Sequence, residues 1–188
     1  MRIGATGITV RNSIFTGGTA DGIKLLSTGS ATIDNCTIVG DTAAGSGVTD
    51  TVGSSVTVRN TISVHHSAGK DFNLTGTISY FGYNMFTATL VTGFDPSTCG
   101  NCAGNNKSPP GSLDSLFISP STDDYHLELT GHTVGNTGTD LSSTFTDDVD
   151  GGFRTVTWDM GADEAVSGTT PTTGGSTRRI ASWREVAP

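Results

Sequence analysis

The chain has 188 residues, a formal net charge of -8, 34% hydrophobic and only 15% charged residues, with 32 Thr, 20 Ser and 26 Gly. Charge this sparse excludes a coiled coil or a charge-rich disordered tail, and the bias toward Thr, Val, Ile and Gly favours strands over helices, so an all-β domain is expected. Ten Lys and Arg in an acidic chain form no basic stripe of the kind that releases counterions from phosphates, which argues against nucleic acid as a partner.

No run approaches the roughly 18 to 20 consecutive apolar residues that span a bilayer, so no membrane span is expected. The start, Met1 to Gly7, lacks the apolar stretch of a secretory signal; export would take another route, or the sequence would be a fragment.

From the first residues onward the chain repeats itself. The segments Ile8-Thr-Val-Arg-Asn12, Ala31-Thr-Ile-Asp-Asn35 and Val56-Thr-Val-Arg-Asn60 share one pattern, apolar-Thr-apolar-charged-Asn, with Ile78-Ser-Tyr-Phe-Gly82 as a weaker fourth copy, and their starts lie 23, 25 and 22 residues apart. A second set opens at Gly22, Gly47 and Asp71, with spacings of 25 and 24. Each segment alternates apolar and polar residues with the period of a half-buried strand, and Gly, Ser, Thr and Asp punctuate the joins. Two strand slots sharing one period of this length predict a solenoid, a short right-handed parallel β-helix of about four coils.

Stacking then fixes columns, because equivalent positions of successive coils lie about 4.8 Å apart. Ile8, Ala31, Val56 and Ile78 are expected inside, as are Val10, Ile33, Val58 and Tyr80, with Thr9, Thr32, Thr57 and Ser79 outside. Arg11, Asp34 and Arg59 form an alternating-sign ladder that favours this register; the functional alternative for that column is a glycan face. Asn12, Asn35 and Asn60 are expected to stack at a turn, since Asn tolerates left-handed backbone and its amide bonds along a stack. Cys36 reads as a small buried core residue.

The coil motif Thr-Ile-Asp-Asn-Cys-Thr-Ile at 32–38, with its cousins at 9–14 and 57–62, resembles the coils of pectin-lyase-like β-helix proteins. The resemblance covers roughly residues 1–165. Further along, the run from Leu113 to Leu129, then Asp148-Val-Asp-Gly-Gly-Phe-Arg154 and Trp158-Asp-Met-Gly-Ala-Asp-Glu164, is similar to the C-terminal closing segment of bacterial and bacteriophage β-helix proteins, which lies over the last coil. The match departs at Gly131 to Gly138, where the family usually carries a serine-proline-isoleucine-aspartate run.

The expected organisation is therefore coils over 1–94, a loop and closing β segment over 95–165, and a Gly/Thr linker with a tail over 166–188. In the closing segment a short apolar strand, a turn at Asp123-Asp124 and an alternating strand are expected, Tyr125, Leu127 and Leu129 facing one way and His126 and Glu128 the other. Cys99 and Cys102 could close a small loop or supply half of a zinc site; a structural zinc needs four ligands and no second pair exists, so a local disulfide or two plain thiols is the reading. In the tail, Arg178, Arg179, Ile180, Trp183, Arg184 and Val186 combine the residue types that most often anchor interfaces, and they read as a docking arm for a protein partner.

No catalytic residue is assigned. Asp21, Asp41, Asp50 and Asp71 occupy turn positions where Asp serves the backbone, and His65, His66, His126 and His132 match no hydrolase motif. Asp147, Asp148 and Asp150 are the densest acids; a structural turn is the reading, with calcium as the other, and no further cofactor is expected. The function expected is that of a structural subunit, a virion component such as a capsid-decorating, fibre or tailspike-like protein, forming homo-oligomers or joining a larger shell and contacting surface glycans. The alternative is a carbohydrate-active protein, a polysaccharide lyase, glycoside hydrolase or glycan-binding module that is extracellular or at the cell surface.

Overall fold

The computed structural model describes residues 1–18, 20–40, 45–66, 69–87, 91–97, 99–129, 132–155 and 157–165; the docking arm expected at 178–188 and the linker before it lie outside them. The Thr, Val and Ile alternation yields strands β1 (Arg2–Ile3), β2 (Ile8–Phe15), β3 (Ile23–Leu25), β4 (Ser30–Val39), β5 (Val48–Asp50), β6 (Ser55–Arg59), β7 (Ile62–Val64), β8 (Phe72–Leu74), β9 (Thr77–Gly82) and β10 (Val91–Thr92). One sheet runs β1-β3-β5-β8-β10 and a second β2-β4-β6-β9, with β7 on the far half of β4, and every pairing among these strands is parallel. The chain is an all-β parallel solenoid of about four turns. Among the described residues no helix is long and apolar enough to cross a membrane.

Register matches the repeat arithmetic through the first three coils. Ile8, Ala31, Val56 and Ile78 stack as one column, and Val10, Ile33 and Val58 as another. The fourth member of the second column is Phe81, not Tyr80 as the spacing implied. The register shifts after Val56, so that Tyr80 lies opposite Thr57 on the outer face and Phe81 opposite Val58 in the bore. The extra residue is Ser79, whose hydroxyl bonds to that of Ser55. A bulge of this kind re-aims the side chains after it, and here it puts an apolar ring inside and leaves the phenol hydroxyl, which needs a partner when buried, on the surface.

The bend between the second and third faces of each coil sits on asparagine, with φ of 45° at Asn12, 46° at Asn35 and 51° at Asn60. Strand β4 continues through its bend and serves two faces, pairing with β6 over its first half and with β7 over its second. The fourth coil carries its left-handed residue at Tyr83 (φ 57°), while Asn84 donates to the Val58 carbonyl and accepts from the Thr61 amide.

The bore is lined chiefly by apolar residues, with buried Asp50 in register between Leu25 and Leu74, and its two ends differ. At the C-terminal end Phe72, Phe81, Phe86 and Phe94 pack edge to face, with ring centroids 4.9 to 5.7 Å apart, the geometry that aligns ring edges with ring faces of opposite partial charge. Beyond them Cys99 and Cys102 are disulfide-bonded, and Cys102 and Lys107 form bridges to Phe81 and Met85, so parallel pairing runs past residue 94, where the coils were expected to end. At the other end, among the described residues, β1 pairs with β3 alone and β2 with β4 alone, and Met1 is 48% exposed. Cys36 is buried beside Ile33 and Val10, and burial pushes its thiol up to about 12, so it packs as a small apolar residue and is no nucleophile.

The chain then folds back along the solenoid wall. A 3₁₀ turn at Leu113–Ser115 leads to β11 (Phe117–Ser119), which pairs antiparallel with β12 (Asp124–Leu127) across a turn where Asp123 has φ of 61°. Tyr125 and Leu127 point inward with Leu116 and Phe117 against Val39, Ile62, Val64 and Met85. Leu129, expected on the same face, is 51% exposed, because the strand ends at Leu127 and alternation no longer governs it.

Candidate functional site

The polar chemistry of the described residues concentrates where the stretch 132–165 lies over the asparagine bends. Asn12 donates to the Asp147 carbonyl at 2.7 Å, Asn35 to the Asp159 and Gly161 carbonyls at 3.2 Å each, and Asn60 to the Thr139 carbonyl at 2.8 Å while accepting from the Thr139 amide at 2.8 Å. The expected amide stack survives in one link, Asn60 to Asn35 at 3.1 Å. The row is thus chiefly the docking line of the closing segment. Gly161 approaches so closely, at φ of +99°, that a Cβ there would come within 2.8 Å of Ile62 Cδ1 and 2.9 Å of Thr37 Oγ1; only glycine fits both the space and the backbone.

Asn60→Ala removes three of these bonds and replaces asparagine, which tolerates left-handed backbone, with alanine, which does not, each effect worth about 1 to 2 kcal/mol. The expected loss of unfolding free energy is about 3 kcal/mol, and Asn60→Gly, which relieves the backbone part, is expected to lose about 1 kcal/mol less. Urea denaturation of both variants checks this; equal losses would refute the backbone contribution.

Arg154 ties the closing segment together. Its side chain is 0% exposed and pairs with Glu164 at 3.2 Å, donates to the carbonyls of Asp147, Gly161 and Ala162 and to Asn12 Oδ1, and lies 5.1 Å from the Trp158 ring centre. The turn before it is closed by Asp148, whose Oδ1 accepts the amides of Asp150 and Gly152. Asp159 accepts the Asn136 and Ala165 amides, and burial pushes its carboxyl up to about 6.

Asp147, Asp148 and Asp150 do not converge on a single point; the grouping that does, among the described residues, is His126, Asp150 and Asp163, whose ligand atoms lie within 4.8 Å of one another. His126 Nε2 is 3.0 Å from Asp150 Oδ2 and Nδ1 is 2.6 Å from Asp124 Oδ1, so the protonated imidazole supplies a counter-charge to this cluster. Asp163 is buried, accepts the Leu127 amide through Oδ2, and is pushed up to about 6 by burial. Paired carboxylates with one raised pKa are what glycoside hydrolysis requires, but the acid must also reach a glycosidic oxygen. At 7% exposure Asp163 faces protein on every side that the hydrogen bonds define.

The other sequence candidates serve the fold. Asp34 is fully buried and gives both carboxylate oxygens to Arg59 at 2.7 and 2.8 Å. Arg11 donates to the Thr144 carbonyl and sits 5.1 Å from the Phe145 ring centre. The ladder is real in register, and the closing segment covers its first rung. Asp21, Asp50 and Asp71 each accept backbone amides, from Ser46, from Val52 and Ser54, and from Thr87; Asp41 lies outside the described residues. His65 is at a coil corner with φ of 66°. His66 is buried 3.4 Å from Ser63 Oγ, whose hydroxyl donates to the Asp71 main-chain carbonyl. Burial lowers the pKa of His66, and among the described residues its hydroxyl neighbour Ser63 is turned to the Asp71 main-chain carbonyl, not to a carboxylate.

An open groove of about 630 Å³ runs beside β7, lined by Val64, His65, Thr87, Pro110, Asp114 and Tyr125 among others. Among the described residues Asp114 is its one lining carboxylate. The chain matches no protein-family model, no curated protein and no solved structure. Function therefore rests on the architecture itself. The docking line and the His126 cluster escaped the sequence reading because their partners lie far apart in the chain, 79 to 135 residues for the asparagine bonds; the one available signal was the repetition of Asn at the first three bends.

Proposed function

We propose that this chain is a structural, assembly-type subunit, a short right-handed parallel β-helix of the pectin-lyase-like kind that docks end-on into a larger particle or surface array, as a capsid-decorating, fibre or tailspike-like component does. The observation that carries this reading is the difference between its ends. Four phenylalanines and a disulfide loop plug one end of the bore, whereas at the other β1 and β2 each carry a strand on one side only. An open parallel edge backed by apolar residues is a template for another strand unless it is covered, and solenoids cap such edges. The natural cover is a further parallel coil laid against β1 and β2.

Three features support it. One wall is occupied by structural bonds, with Asn12, Asn35 and Asn60 of the bends and Arg11 of the charged ladder spent on the closing segment. The disulfide fits an oxidising location such as a particle or cell surface. The sequence at 178–188 carries Arg178, Arg179 and Arg184 against one Glu185, with Trp183 among them, a basic aromatic segment on an acidic chain and apt for a protein interface.

Sedimentation velocity tests the proposal. The expected result is association that rises with concentration and is weakened at least tenfold by Ile8→Lys, which places a charge at the open edge. A monodisperse monomer up to about 100 µM, stable at that state, would overturn it.

A further inference from the structure

We infer that His126 is a proton-operated latch that holds the turn 147–154 of the closing segment against β12, engaged in acid and released in base. The geometry carries the inference. The two ring nitrogens face two different carboxylates, Nδ1 toward Asp124 at 2.6 Å and Nε2 toward Asp150 at 3.0 Å. A neutral imidazole has one N–H and an imidazolium has two. Both contacts are therefore hydrogen bonds only while the ring is charged, and the neutral ring must leave one carboxylate facing a lone pair.

Asp124 belongs to the same strand as His126, so that contact holds nothing across the fold. Asp150 belongs to the turn, and its contact is the one that spans. Asp150 also lies close to Asp163, which reaches the cluster from the last described stretch and is anchored to β12 by the Leu127 amide. Asp148 bears on Asp163 from the same turn, and its Oδ1 accepts two amides there. The nearby cation, Arg154, is already committed to Glu164 and to main-chain carbonyls. Loss of the His126 proton thus removes the positive charge beside Asp150 and Asp163.

Opposing effects act on the ring. Burial disfavours its charge, but the hydrogen bond to Asp124 and the charges of Asp163, Asp150 and Asp124 outweigh burial and raise its pKa above the ordinary 6.5. A basic group raised on folding contributes stability that is full below 6.5 and is lost as pH rises through the raised value. The Asp163 carboxyl, up at about 6 through burial, has the same sign, since its raised pKa favours the folded chain in acid and that contribution is lost as pH rises through about 6. The latch tightens from pH 8 toward pH 5.5 and loosens in the reverse direction.

Two measurements on the whole chain decide it. By NMR, His126 is expected to titrate above 6.5, and Asp150→Asn to bring it down toward 6.5. By hydrogen exchange corrected for intrinsic rate, protection of residues 147–154 is expected to fall between pH 5.5 and 8.5, as the raised His126 pKa requires. His126→Gln, a neutral side chain of similar reach that does not titrate in this range, is expected to flatten that dependence at the low-protection level. His126 titrating at or below 6.5 would overturn the latch, as would an unchanged pH dependence in His126→Gln. So would a calcium or zinc ion that stabilises the wild-type chain at pH 8.5 and not His126→Gln, because the cluster would then be a metal centre.

Discussion

Arg154→Ala is expected to lower the unfolding free energy by about 3 to 5 kcal/mol, the range for removing one partner of a buried ion pair. The size follows from what is left behind. Glu164 stays buried with Thr155 and the Asp159 amide still bonded to it but without its cation. The carbonyls of Asp147, Gly161 and Ala162 lose their donor, and a buried acceptor without one costs about 1 to 3 kcal/mol. For a chain of this length that amounts to a fall in melting temperature of about 10 °C. Arg154→Lys is expected to recover little, because an ammonium on a flexible stem cannot reproduce the fork that meets Glu164, Asn12 and two carbonyls at once. Calorimetry on both variants checks the claim, and a shift of less than about 2 °C for Arg154→Ala would sink it.

Phe72→Ala is the second large effect. Phe72 is fully buried and touches Phe81 and Phe86 edge to face at 5.0 and 5.7 Å. Truncation removes the ring's transfer energy, opens a cavity in a one-coil-wide bore and deprives its neighbours of contacts, for a total of about 3 to 5 kcal/mol. Phe72→Leu, which keeps most of the volume, is expected to cost less than half as much. Chemical denaturation gives both numbers, and indistinguishable midpoints would show that the aromatic plug does not hold the end of the solenoid. Phe153, by contrast, is 82% exposed, so its truncation is expected to leave stability within about 0.5 kcal/mol of wild type.

The coils could be read from the chain because stacking converts a sequence period directly into spatial neighbours. Val10, Ile33 and Val58 needed no structure to be placed in one column. Tyr80 went to the wrong face because a one-residue bulge leaves the spacing of the repeat almost unchanged while reversing the side chains that follow it. The closing strand was legible through Tyr125 and Leu127 and stopped being so at Leu129, where pairing ends. Least visible were the polar partnerships. Asn in a left-handed bend is already explained by its backbone, so nothing in the sequence demanded that its amide also hold a carbonyl from the far end of the chain. His126 was placed on a polar face, but its spanning contact, Asp150, lies in a turn to which no periodicity applies.

The bonds from Asn12, Asn35 and Asn60 to the stretch 139–161 bear on how the molecule comes apart. A bare solenoid behaves like a one-dimensional chain of weakly coupled units and frays from its ends. Here a single segment is bonded to three successive coils at once, so shedding the first coil means peeling that splint from the other two. Unfolding should accordingly be a single concerted transition, observed alike by probes placed in the first coil and in the third.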